Sequence, residues 1–320
     1  MGKSSVSEIT TREASPADVG AILTVLKAAL GETPLLRRTP EQWAWKHETN
    51  PFGPSIVLLA MSGDRIAGVR AMMRWHLTTP DGGIVECVRP VDTATHPDFE
   101  RRGIFRRLTM EALDIARDRD INLVFNTPNP QSGAGYISMG WQEVAPIGVM
   151  VRPRLGKAQA PVSGATPSLA DVIPTSRPFS PIGGADRPPR GLRTERSTRY
   201  QDWRFAGHPT VRYGTIGSGT GAVVVRAGVR KSRIELVMSD LLGDAGGREV
   251  RQAHRGNRAR YMAGFFSKGS PERSAAIAGG MMPLPGMKTL RLVAMPLTDI
   301  DIDVFDLGSW DIATSDLELL

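Results

Sequence analysis

The residues with the most chemical potential lie between Val91 and Trp141. The first part reads Val91-Asp92-Thr93-Ala94-Thr95-His96-Pro97-Asp98-Phe99-Glu100-Arg101-Arg102-Gly103-Ile104-Phe105-Arg106-Arg107. A strand, a turn containing Pro97 and a helix opened by Gly103 make an anion cradle, because free backbone N–H groups and the helix dipole favour a pyrophosphate. Arg101, Arg102, Arg106 and Arg107 lie within about two helical turns and add long-range attraction. Charge alone does not separate such a cradle from a solvated basic helix. Farther on, Phe125-Asn126-Thr127-Pro128-Asn129 ends a second strand, and Tyr136-Ile137-Ser138-Met139-Gly140-Trp141 sets a tyrosine beside a glycine turn.

The flanking pattern supplies elements to position these residues. Ser15-Pro16-Ala17-Asp18 caps a helix with Val19, Ile22, Leu23, Leu26 and Leu30 on one face. A second helix runs from Thr39-Pro40 through His47. Strands are expected over Ser55–Met61, Arg65–Trp75, Ile84–Thr95 and Ile121–Asn126, with helices after Gly103 and around Ala134–Met139. Between Pro153 and Arg193 the periodicity stops and seven prolines accumulate, which reads as a linker or a covering strap. Strands then resume at Gly221–Arg226 and Ser232–Met238, a helix at Arg248–Phe266 and a strand at Thr289–Met295. No counterpart of Gly103 and its loop is expected in this second half.

Composition narrows the class. At 320 residues the chain is long enough for two domains, and 41% hydrophobic content provides a core for each. The net charge is +7, and only seven of the 40 basic residues are lysine. That balance suits an anionic partner without naming one. Cys87 is the sole cysteine, so an internal disulfide is impossible and a reducing compartment, the cytoplasm, is expected. His47, His76, His96, His208 and His254 have neither metal-ligand spacing nor cysteine partners, so no metal is expected. No stretch reaches the roughly 18 to 20 apolar residues that span a bilayer. Aromatic content of 6% and the lack of a helix-turn-helix argue against a nucleic-acid binder.

The segment around Gly103 resembles motif A of the GNAT N-acetyltransferase superfamily, Gln/Arg-x-x-Gly-x-Gly/Ala. Glu100 stands where Gln or Arg is usual, and Phe105 where Gly or Ala is usual. The Tyr136–Trp141 stretch resembles the family's Tyr-x-x-x-Gly-Phe element. Glu41–Lys46, Asn50-Pro51-Phe52-Gly53, Asp202-Trp203-Arg204-Phe205, His208-Pro209 and Trp310 with Asp316 are similar to bacterial members with a second, degenerate half. The likeness therefore covers most of the chain.

The resemblance implies an α/β chain: a mixed-sheet GNAT fold in the N-terminal domain and a second GNAT-like α/β domain after a Pro-rich linker. The expected divisions are 1–153 for the acyl-CoA-binding catalytic domain, 154–195 for the linker and 196–320 for the degenerate domain shaping the acceptor cleft. The implied co-substrate is acetyl-CoA or another acyl-CoA. Amides and side chains of Arg101, Arg102, Gly103, Ile104, Phe105 and Arg106 would hold its pyrophosphate. Thr93 and Thr95 would border the pantetheine and thioester, and Asn129 would bond the cofactor arm. Tyr136 is implied as the acid that protonates the departing thiolate; a packed tyrosine with a satisfied hydroxyl is its structural alternative. Asp92 is the candidate base, sharing side-chain parity with Glu86 unless a bulge intervenes; its alternative is a strand-end carboxylate paired with arginine. The C-terminal carboxylate of Leu320, a base in some multi-domain relatives, is a lesser candidate. The expected reaction is direct acyl transfer to the primary amine of a small molecule such as an amino sugar or biosynthetic intermediate. No membrane partner is expected, and a homodimer is left open. A non-catalytic GNAT-like module that binds CoA or another ligand is the alternative function.

Overall fold

The computed structural model describes residues 8–33, 36–154, 167–183, 187–218 and 220–318. The chain opens with strand β1 (Ile9–Glu13) and helix α1 (Val19–Leu30), which buries Ile22, Leu23, Val25 and Leu26. Thr39 caps the short helix α2 (Pro40–Trp43), its hydroxyl accepting from the Gln42 amide, and the chain then widens into a π-helical turn over Ala44–Glu48. Strands β2 (Ile56–Ser62), β3 (Arg65–Thr78) and β4 (Ile84–Thr95) follow as a meander. Helix α3 (Ile104–Asp118), strand β5 (Leu123–Asn126), helix α4 (Pro130–Ser138) and strand β6 (Gln142–Pro153) complete the first half.

The second half repeats this order. A strap contributes α5 (Leu169–Val172), β7 (Arg177–Pro178) and β8 (Arg193–Thr194). It buries Val172 and Ile173, edges the sheet at Arg177–Pro178 and pairs with the end of β3 at Arg193–Thr194. Residues 155–166 and 184–186 of the expected linker, and Leu319–Leu320, lie outside the described residues. Helix α6 (Thr198–Gln201) runs into a second π-helical turn, Asp202–Ala206. Then come β9 (Tyr213–Ser218), β10 (Gly221–Arg230), β11 (Arg233–Gly243), α7 (Gly247–Gly256), β12 (Tyr261–Gly264), α8 (Pro271–Ala278), β13 (Met282–Pro296) and α9 (Thr314–Leu317).

The helix expected over Arg248–Phe266 is a shorter helix and a strand. Asn257 ends α7: its side-chain Nδ2 donates to the carbonyls of Ala253 and His254, both at 2.9 Å. The chain then extends and β12 pairs in parallel with β11.

One continuous sheet holds both halves, in the order β1-β2-β3-β4-β5-β13-β6-β12-β11-β10-β9-β7. Two strands have changed places. β13, from the second half, pairs with β5, and β6, from the first, pairs with β12. They also pair with each other, so neither half completes its sheet alone. The two π-helical turns meet across this seam. Trp45 and Trp203 stack with ring centroids 4.7 Å apart at 12°, and each indole Nε1 donates to the other's backbone carbonyl, at 2.8 and 2.7 Å. Both indole N–H groups are satisfied in a buried setting, as such groups require.

The exchanged strands predict that both halves unfold in a single transition although chains of this size commonly do not. Trp203→Ala removes the stack and the reciprocal bonds and should cost about 3–5 kcal/mol. Urea denaturation followed by circular dichroism checks both points. Two separated transitions in the unmutated chain would contradict the interlocked sheet.

Candidate active site

A cleft opens where β4 and β5 part. Among the described residues they pair only at Cys87–Leu123 and Val88–Val124, after which β4 runs on to Thr95 with no partner on that side. The cause lies on β4's other edge. Against β3, Val69 pairs with Ala94 but Ala71 with Val91, so Asp92 and Thr93 together face Arg70 in a β-bulge. Asp92 takes a left-handed φ of 41° to make it. The resulting cleft holds about 630 Å³ and is lined by β4 from Arg89 to Thr93, by Phe105, by Asn126–Asn129 and by Tyr136. Leu290 of β13 and Leu317 of α9 bring the second half to its wall. A hollow of about 340 Å³ shares Phe105 and lies over Thr95, Phe99, Glu100, Arg101, Gly103 and Ile104.

The loop after β4 ends on a glycine at the open start of a helix. The His96 ring accepts from the Asp98 amide at 3.2 Å, a single 3₁₀ turn spans Pro97–Phe99, and Phe99 anchors it in the core. Gly103 precedes α3 with φ of 72°, a conformation that disfavours a side chain. The first amides of α3, at Ile104, Phe105 and Arg106, have no acceptor among the described residues, as at any uncapped helix start. Gly68 of β3 lets this helix end approach: a Cβ there would meet Ile104 Cγ2 at 2.6 Å. Arg101 and Arg102 are exposed beside the loop, with Arg102 lying over the Phe99 ring. Arg106 donates to the Ser138 carbonyl, and Arg107 is engaged by Glu111 and the Ile9 carbonyl.

Tyr136 is buried in the wall of the larger cleft, edge-on to Phe105, which the two hollows share, with centroids 5.5 Å apart. Arg70 Nη1 donates to its hydroxyl oxygen at 2.8 Å and to Thr93 Oγ1 at 2.7 Å. With a lone pair occupied by Arg70, the phenolic proton is free to be donated elsewhere. Arg70 is not among the sequence candidates; its signal is a charged residue inside the otherwise uncharged run Ile66–Met73. Asn129 caps α4, its Oδ1 accepting from the Ser132 amide at 2.9 Å and hydroxyl at 3.1 Å. Thr95 lies at the loop end of β4, facing the second hollow.

Asp92 sits in a buried ion cluster. Its carboxylate receives Arg38 at 3.0 Å, Lys46 at 3.0 Å and His47 Nε2 at 3.1 Å. Burial alone would raise its pKa, but the Lys46 ammonium, the His47 ring and Arg38 outweigh burial and hold it well below the ordinary value. Burial in turn lowers the pKa of His47 against the pull of Asp92. A neutral ring then carries its proton on Nε2 and accepts at Nδ1 from Ser55, 2.9 Å away. Glu86 is engaged elsewhere, by Arg74 at 2.9 Å and His76 at 3.1 Å.

The second half has the counterpart of this arrangement without its cleft. β11 carries a bulge at Ser239, and the adjacent Asp240 meets Arg196 at 3.2 Å. Ser315 of α9 donates to Asp240 at 2.7 Å. Only residues 244–246 connect β11 to α7, against residues 96–103 between β4 and α3, which leaves no length for a phosphate loop.

A family model described as an acetyltransferase (GNAT) domain matches residues 10–144. No curated protein matches the sequence. Solved structures share the fold over nearly the whole chain. A GCN5-related N-acetyltransferase from Anabaena variabilis is 12% identical, with 91% of this chain and 73% of that one covered and a TM-score of 0.58. Another GCN5-related N-acetyltransferase, from Kribbella flavida, is also 12% identical, covering 92% and 72% at a TM-score of 0.58. A tandem GNAT protein from the clavulanic acid biosynthesis pathway is 16% identical, with 92% of this chain and 100% of that one covered and a TM-score of 0.52. Residues 10–144 thus match a GNAT acetyltransferase domain, and the chain as a whole has the fold of these proteins, with two α/β halves in tandem.

The ion cluster yields a pH prediction. Asp92→Asn leaves buried cations unanswered and should cost about 3–5 kcal/mol at neutral pH. The folded chain holds this carboxyl below its ordinary value of 3.8, so the stabilisation is complete above that pH and is lost as pH falls through the lower folded value. The gap in urea midpoint between wild type and Asp92→Asn should stay constant from about pH 7 to 5 and close in stronger acid. A gap that widened on acidification would contradict the cluster.

Proposed function

We propose that this acetyltransferase moves an acetyl group, or another short acyl group, from CoA directly to the primary amine of a small molecule. The observation that carries this reading is the parting of β4 from β5 at a buried phenol whose oxygen already accepts from Arg70. In this reading the amides of Ile104, Phe105 and Arg106 hold the pyrophosphate, with Arg101 and Arg102 as outer cations. The free edge of β4 between Arg89 and Thr95 takes the pantetheine arm, and the NH2 of Asn129 remains available to it. The amine attacks the thioester carbonyl, the C–N bond forms, and the tetrahedral intermediate collapses by breaking the C–S bond. Tyr136 gives its proton to the departing sulfur. Asp92, saturated by three partners and of low basicity, holds the bulge and orients Lys46 and Arg38; the ammonium proton leaves to water in the open cleft. Leu290 and Leu317 support a role for the second half in shaping the acceptor end.

Calorimetry with acetyl-CoA tests the cradle. Gly103→Asp adds a negative side chain at a left-handed position and should abolish binding. Tyr136→Phe should bind acetyl-CoA as wild type does while kcat falls roughly 100-fold in a thiol-release assay. Normal affinity in the first variant would remove the cradle, and an unchanged rate in the second would remove the acid.

A further inference from the structure

The cleft contains a cation that no carboxylate among the described residues answers. Arg89 is 1% exposed, lines the cleft from β4 and has no carboxylate within 4.0 Å among the described residues. Its Nε and Nη1 are buried without an acceptor. Arg38 and Lys46, the other cations of this wall, share Asp92, and Arg70 is engaged by Tyr136 and Thr93. Burial pushes the Arg89 pKa down to about 10, partly offset by the more distant Asp316, so the group is charged at neutral pH. A buried guanidinium left this way is costly unless something completes it. Beside it, Asn126 lines the same wall and its buried Oδ1 has no donor.

The shape of the site selects the ligand. The rings of Trp75 and Phe125 cover Arg89, 4.9 and 4.8 Å from Cζ, leaving the edge of the guanidinium plane for bonding. A planar carboxylate meets such an edge with parallel N–H···O bonds. Resting on the reading of this cleft as the place of acyl transfer, we infer that the acceptor is an amino-carboxylate, with its carboxylate on Arg89 and an N–H directed to Asn126. Three cationic side chains against one carboxylate on the cleft wall favour the same charge.

The test is a thiol-release assay with acetyl-CoA on a panel of free amino acids, each paired with its amide and its decarboxylated amine, with phosphorylated amines as a separate arm. The carboxylate member of the best pair should be preferred in kcat/KM by roughly 10- to 100-fold. Arg89→Met should collapse that preference toward one, and Arg89→Lys should retain part of it by keeping the charge without the fork. Acetyl-CoA calorimetry on the same variants reports whether fold and donor site stand. Wild type that binds acetyl-CoA but turns over amides equally well, prefers phosphorylated amines, or accepts no carboxylate overturns the inference alone. Wild type that binds no acyl-CoA overturns the functional reading as well. Because the pairs are compared on unmutated protein, a misfolded variant does not remove the test.

Discussion

The bulge at Asp92 and Thr93, held by one carboxylate among Arg38, Lys46 and His47, is the constraint on which the site depends. An extra residue in β4 bends the strand just where its pairing with β5 stops, and the cleft is the space left between them. The same bulge sets Thr93 against Arg70, and Arg70 against the hydroxyl of Tyr136. Burying a carboxylate is unfavourable by several kcal/mol unless partners surround it. Here the partners come from the segment before β2, so the Tyr136 end of the cleft and the distant α2 region form one unit.

Those π-turns also join the halves. Trp45 follows directly in the first turn and Trp203 in the second, and their mutual hydrogen bonds repeat the same contact from both sides. The exchange of β6 and β13 makes the sheet continuous across that contact. Within this near-symmetric frame the halves differ in two local ways. One has eight residues between strand and helix and an open cleft; the other has three residues and the Ser315 hydroxyl on its buried aspartate.

Local pattern was readable where a residue's own chemistry decided the outcome. Gly103 opens α3 and Pro40 opens α2 because their backbone requirements are intrinsic. The β4 span from Ile84 to Thr95 follows from the Asp81-Gly82-Gly83 turn before it and its β-branched residues. The 248–266 helix was misread because helical periodicity in Arg248–Arg255 continues into residues whose course is decided by the Asn257 cap and by pairing with β11. Strand exchange was not visible, since β6 and β13 look alike in either sheet. The Asp92 cluster depends on Arg38, Lys46 and His47, some 45 to 54 residues away in sequence. Arg70 and Arg89 are hidden for a related reason: each is one of several charged residues in its strand, and only the fold reveals which neighbours they lack.

A crystal structure of the protein with acetyl-CoA tests the central claim most directly. The pyrophosphate should lie over the amides that begin α3, the pantetheine along the free edge of β4 and the sulfur beside the Tyr136 hydroxyl. Acetyl-CoA lying in the second half, or along β4 with its sulfur pointing away from Tyr136, would contradict it.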